Sequence, residues 1–210
     1  MNKLLTELIG TFFLVLTVGL VVSSGTPLAA LAIGSVLVGM VYMGCHISGA
    51  HYNPAVTLGV MMRGKIESGE AIQYMVAQFV GAILAAFASL HLTGGDTFAP
   101  APGAGVSVSI AILAELLFTF ALVLVYLQTV TNDKTAGNSY YGLAIGFTVM
   151  VGAFAVGDIS GGAFNPAAAV GSVLVNALMG SGNFGDLWLY LIGPFAGGAL
   201  AALVYKVQSA

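Results

Sequence analysis

The sequence predicts an all-α membrane protein with six transmembrane helices and two re-entrant half-helices in two inverted repeats, 1–105 and 106–210, of a single transmembrane domain. Three observations carry that prediction. Of 210 residues, 59% are hydrophobic and only 6% charged, whereas a soluble domain holds about a quarter of its residues as Asp, Glu, Lys and Arg. Six apolar stretches are long enough to cross a bilayer, and short motifs of the first half recur in the second in the same order.

Backbone groups in lipid must find partners within their own segment, so a spanning helix needs about 20 mainly apolar residues. The stretches 4–23, 28–47, 71–92, 106–130, 140–157 and 187–207 meet that condition. Gly25-Thr26-Pro27, the run Gly94 to Gly105 and the run Asn132 to Asn138 separate them. The 29 glycines suit a membrane bundle, where close backbone approach replaces the missing hydrophobic drive between helices. Lys3 and the apolar run Leu8 to Val22 have the shape of a signal peptide, but the run has an internal counterpart, which argues for a retained span. Trp188, Tyr140 and Tyr141 fall at span ends, where an interfacial aromatic belt accounts for them.

Charge sets the orientation. Six spans put both termini on one side, together with the segments after spans two and four. Lys3, Arg63, Lys65, Lys134 and Lys206, all the basic residues of the chain, fall there, and the opposite side carries Asp96, Asp158 and Asp186. Excess Lys and Arg mark the cytoplasmic side, so both termini are expected in the cytoplasm. Short loops and termini suggest a prokaryotic inner membrane. The net charge of −3 comes without any basic run, which argues against nucleic acid as a partner. Cys45 is the lone cysteine, a small buried residue in the plain reading.

The repeat is explicit. Leu31-Ala-Ile-Gly34 returns as Leu143-Ala-Ile-Gly146, Ile47-Ser-Gly49 as Ile159-Ser-Gly161, and Asn53-Pro-Ala55 as Asn165-Pro-Ala167, all at one constant spacing. Tyr74, Phe79 and Gly81 match Tyr190, Phe195 and Gly197, and Glu7 and Thr11 match Glu115 and Thr119. An odd number of spans per repeat turns the second copy upside down in the bilayer, and inverted repeats with interrupted helices place a site near the midplane.

The segments 48–62 and 160–178 are too short to cross. Pro is tolerated at the first helical position and Asn is a favoured N-cap, so Asn53-Pro54 and Asn165-Pro166 read as the starts of two half-helices. The stretches before them, His46 to Tyr52 and Asp158 to Phe164, are expected to be extended, with carbonyls lining a cavity, the setting in which irregular backbone is tolerated at membrane depth. Inverted half-helices meet N-terminus to N-terminus. Each N-terminus carries about half a positive charge, so the pair repels cations, while the Asn53 and Asn165 amides can donate to a passing oxygen. Such an arrangement passes neutral molecules and blocks protons.

Other polar residues carry two readings. Glu7 and Glu115 lie in apolar spans and could relay protons; as a matched pair they fit better as acceptors for the backbone N–H groups of the irregular segments. His46 is a candidate pore-lining, pH-sensitive residue, His51 a packing and hydrogen-bonding residue beside the half-helix, and His91 a solvated one. No third or fourth ligand accompanies the histidines, so no metal or other cofactor is expected. Asp158, at the place of His46 in the second repeat, either adds negative potential to an outer vestibule or caps within 157–164.

The two Asn-Pro-Ala motifs, the lead-in Ser48-Gly-Ala-His51 and the Glu7/Glu115 pair resemble the aquaporin (major intrinsic protein) family over essentially the whole chain. The resemblance implies a homotetramer in which each subunit has its own pore. It also implies an extracellular-side filter, here Ile33, Ala153, Gly162 and Ala168. The family usually has Arg where this chain has Ala168, and water-selective members usually have an aromatic at the Ile33 position and often His at the Ala153 position. This constriction is therefore expected to be wide and apolar. Ala169 stands where glycerol-conducting members often have Asp, while Tyr190 and Leu191 follow the water-channel pattern, so the subclass features point both ways.

Three functions follow for comparison. The first is a passive channel for water and other small neutral solutes, in which glycerol, urea, ammonia or metalloid acids could even outweigh water. The second is a proton-coupled transporter using Glu7 and Glu115. The third, an intramembrane enzyme, lacks a Ser/His/Asp triad or an HExxH motif.

Overall fold

The computed structural model describes residues 1–209, and all regular structure in them is helical. The first repeat contains α1 (Asn2–Ser23), α2 (Ala29–Ser48), the half-helix α3 (Pro54–Met62) and α4 (Ser68–Leu92). The second contains α5 (Val108–Val130), α6 (Tyr141–Ser160), the half-helix α7 (Pro166–Met179) and α8 (Leu189–Gln208). The six long helices are long and apolar enough to cross a membrane. Large apolar side chains such as Ile72, Leu113, Phe147, Phe154 and Leu203 are exposed, while tyrosines fill the interior: Tyr52, Tyr74, Tyr126, Tyr190 and Tyr205 are almost fully buried. That inversion of the soluble pattern fits a protein whose surface meets lipid.

Within each repeat the first helix packs on the last, α1 on α4 and α5 on α8. The repeats join where α2 crosses α6, and where each half-helix leans on the last helix of the other repeat, α3 on α8 and α7 on α4. Small residues make these crossings possible. A Cβ on Gly146 would lie 2.5 Å from the Gly34 carbonyl oxygen, and one on Gly34 would lie 2.8 Å from the Gly146 carbonyl oxygen. The repeated Leu-Ala-Ile-Gly motif thus supplies both halves of one contact.

Polar pairs gather both termini and two loops on one face. Lys3 Nζ meets Glu70 at 2.8 Å, Lys65 lies 3.8 Å from Asp133, Gln128 donates to Gln208, and Arg63 stacks over the Tyr205 ring.

One expectation about the irregular segments needs correction. Helices α2 and α6 run on to Ser48 and Ser160, so the first three residues of each supposedly extended stretch are helical. Gly49 and Gly161 end those helices in the left-handed region, with φ of 93° and 88°. The chain then turns rather than extends, with Ala50, Tyr52 and Phe164 also at positive φ. Residues with a Cβ occupy that region only where surroundings over-determine it.

Gly146→Leu should overpack the α2–α6 crossing and lower stability by about 1–3 kcal/mol. Thermal unfolding in detergent measures it, and an unmoved midpoint contradicts the tight crossing.

Candidate functional site

What over-determines the turns is a buried carboxylate in each repeat. Glu7 is fully buried in α1 and accepts four hydrogen bonds. Its Oε1 takes the Ser48 hydroxyl at 2.7 Å and the His51 N–H at 3.0 Å; its Oε2 takes the Tyr52 N–H at 2.7 Å and the Gln78 amide at 2.8 Å. Glu115 of α5 repeats the arrangement with the Ser160 hydroxyl at 2.7 Å, the Ala163 N–H at 3.0 Å and the Phe164 N–H at 2.7 Å. Two tyrosines hold the last helical carbonyls, Tyr74 on Ser48 and Tyr190 on Ser160. Donors that neither helix nor lipid could satisfy are thereby paired.

The turns deliver Asn53 and Asn165 to the N-termini of α3 and α7. Asn53 Oδ1 accepts from the Ala55 N–H at 2.8 Å, and Asn165 Oδ1 from the Ala167 N–H at 3.0 Å. The amide nitrogens then cross between repeats: Asn53 Nδ2 donates to the Phe164 carbonyl at 2.8 Å, and Asn165 Nδ2 to the Tyr52 carbonyl at 2.9 Å. An amide nitrogen has two hydrogens, so each Asn keeps one for another acceptor. Pro54, Ala55, Pro166 and Ala167 are buried behind them.

Both asparagines line a chamber of about 470 Å³. Ile33, Ala153, Gly162 and Ala168 line it as well, together with Leu14, Leu122 and Val18. Residues 98–101, Phe98 to Ala101, line it on the side away from the termini; that loop is tied down by the Gly103 N–H on the Ile159 carbonyl and by Thr97 on Asn176. Asp158 is exposed and lines this chamber, which places its charge at the vestibule rather than in a cap. A second cavity of about 280 Å³ opens on the face with the termini, among Lys3, Lys65, Glu70 and Asp133.

His46 must be corrected. It is exposed and lines neither cavity. Because α2 continues to Ser48, Gly44 and Ser48 take the packed face, and His46 joins Tyr42, Met43 and Ile47 on the outer one. His51 is the histidine at the site: buried, with Nδ1 3.0 Å from the Thr57 hydroxyl, and on the wall of both cavities. Gln78 joins Thr57 to Glu7. The sequence reading passed over Thr57, Gln78, Tyr126 and the loop 98–101. Polar residues at Thr57 and Gln78 against Ala169 and Pro194 at the matching places of the second repeat were the available signal.

Comparison with known proteins closes the assignment. A family profile described as "Major intrinsic protein" matches residues 1–205. The chain belongs to the major intrinsic protein family. Among relatives of this family, "Aquaporin NIP1-4" of Oryza sativa subsp. japonica is 36% identical over 99% of this chain and 77% of its own length. "Glycerol uptake facilitator protein-like 6" of Lactiplantibacillus plantarum is 34% identical over 99% of this chain and 98% of its own. In fold, the chain resembles the aquaglyceroporin from Plasmodium falciparum, with a TM-score of 0.87 at 23% identity, covering 98% of this chain and 95% of that one. Channels of this family are integral membrane proteins, in keeping with the six apolar helices.

Glu115→Ala should strip partners from three buried donors, each costing about 1–3 kcal/mol when left unpaired. Denaturant or thermal unfolding in detergent should show a loss of several kcal/mol; a loss near that of an ordinary surface substitution would remove the carboxylate from this role.

Proposed function

We propose that this protein is a passive channel that conducts water and other small neutral solutes and excludes protons and ions, and that it performs no catalysis. The observation that carries the reading is the pair Asn53 and Asn165, each at the N-terminus of a half-helix, each tied to the opposite repeat, and each with one amide hydrogen to spare on the chamber wall. A permeating oxygen can accept from both in turn, while the two helix N-termini raise the energy of any cation between them. Glu7 and Glu115 hold the turns in this reading; their oxygens are already engaged by four and three donors, which favours a structural part over a proton relay.

The proposed setting is a prokaryotic plasma membrane, with both termini in the cytoplasm and four subunits that each carry a pore. The basic residues Lys3, Arg63, Lys65, Lys134 and Lys206 on the face of the termini support the orientation. The second reading, a broad facilitator for glycerol, urea, ammonia or metalloid acids with water secondary, draws on the apolar set Ile33, Ala153, Gly162 and Ala168 in a chamber of about 470 Å³. It also draws on the relative named as a glycerol uptake facilitator.

Stopped-flow light scattering on proteoliposomes tests both. Water flux should exceed that of protein-free vesicles by about tenfold, equivalent to about 1.4 kcal/mol off the transit barrier. Ala168→Arg should cut urea and glycerol entry by a larger factor than water; an unchanged preference would remove Ala168 from the filter.

A further inference from the structure

Inverted repeats allow each wall position in the outer half of the pore to be compared with its counterpart in the inner half, and one pair differs sharply. The spacing that matches Glu7 with Glu115 and Thr11 with Thr119 also matches Leu14 with Leu122 and Val18 with Tyr126. Leu14, Leu122, Val18 and Tyr126 all line the outer chamber, as residues one turn apart on one helix face should. Val18 presents a small aliphatic side chain to its half. Tyr126 sets a ring at the matching level, held by its hydroxyl, which donates to the Gly49 carbonyl at 2.6 Å.

The same asymmetry holds on the facing turn. Where the second repeat has Ala163, the first has His51, whose ring meets the Tyr126 ring edge-on at 5.5 Å and the Tyr74 ring at 5.1 Å. His51 and Tyr126 are the two residues shared by the walls of both cavities. The two spaces therefore meet at a phenol and an imidazole, while the corresponding level of the outer half is walled by an isopropyl and a methyl group. The Tyr126 hydroxyl also fixes its ring by donating to the Gly49 carbonyl.

We infer that Tyr126, with His51, forms a second size-selecting neck of the pore on the side of the termini, so that discrimination between water and larger neutral solutes is not left to Ile33, Ala153, Gly162 and Ala168 alone. This rests on the channel reading. At this level a permeating molecule meets a phenol and an imidazole where the matching level of the other half has Val18 and Ala163, and the added bulk hinders a three-carbon polyol more than a single water. Tyr126 acts as a specificity-determining residue through its bulk and, secondarily, through its bond to Gly49.

The test is the glycerol-to-water permeability ratio of proteoliposomes carrying wild type, Tyr126→Val and Tyr126→Phe at matched protein content. Tyr126→Val, which installs the outer-half residue, should raise the ratio by about tenfold. Tyr126→Phe keeps the ring and loses only the bond to Gly49, so it should raise the ratio by a smaller factor. Should the valine variant not fold, Tyr126→Leu, which also removes the ring, takes its place and should raise the ratio likewise. A ratio unchanged in the folded variants, with water flux intact, overturns the neck and leaves the channel reading standing. Wild-type vesicles no more permeable to water than empty ones overturn the channel reading and the neck with it.

Discussion

Two buried carboxylates carry the architecture on which everything else depends. A re-entrant segment breaks the helical hydrogen-bond ladder at membrane depth, and the N–H groups it frees cannot turn to water. Glu7 and Glu115 accept those N–H groups, from His51 and Tyr52 in one repeat and from Ala163 and Phe164 in the other. In doing so they hold Tyr52 and Phe164 at positive φ, and the carbonyls of those same residues receive the Asn165 and Asn53 amides. One chain of bonds thus runs from a carboxylate in the first helix of a repeat, through a strained turn, to the asparagine of the other repeat. The cost of an unpaired donor in a low-dielectric interior makes each link expensive to lose.

The symmetry of that scaffold makes the asymmetry of the lining informative. Both repeats need the carboxylate, the serine, the tyrosine and the Asn-Pro start, and both have them. The lining residues are under no such constraint. The half away from the termini carries Val18 and Ala163, which offer no side-chain polar group; the half toward the termini carries Tyr126 and His51 at the matching places. A scaffold fixed by backbone pairing can thus carry an aliphatic lining at one end and a lining of tyrosine and histidine at the other.

Much of this was legible in the sequence because the decisive signals are local. Asn is a favoured N-cap and Pro a favoured first helical residue, and the half-helices begin at Pro54 and Pro166 with Asn53 and Asn165 as caps. The apolar stretches correspond to the long helices within a few residues. The turns before the half-helices were misjudged because Gly49 and Gly161 act as left-handed caps, so that residues 46–48 and 158–160, expected to be extended, stay helical and His46 falls on the outer face of α2. Tyr126 escaped notice because a tyrosine in an apolar span has no local signature; only its pairing with Val18 across the repeats marks it. The loop at 98–101 is irregular, and its place on the chamber wall follows from tertiary ties at Thr97 and Gly103.

The central claim is that half-helix N-termini and two asparagine amides admit a neutral oxygen and reject a proton. The most direct measurement follows water flux and internal pH together in proteoliposomes that enclose a pH-sensitive dye, under an osmotic step and then under an imposed pH step. The account predicts water flux well above that of protein-free vesicles, with internal pH relaxing no faster than in those vesicles. Proton entry that rises with the amount of protein would contradict it and return Glu7 and Glu115 to the role of proton carriers.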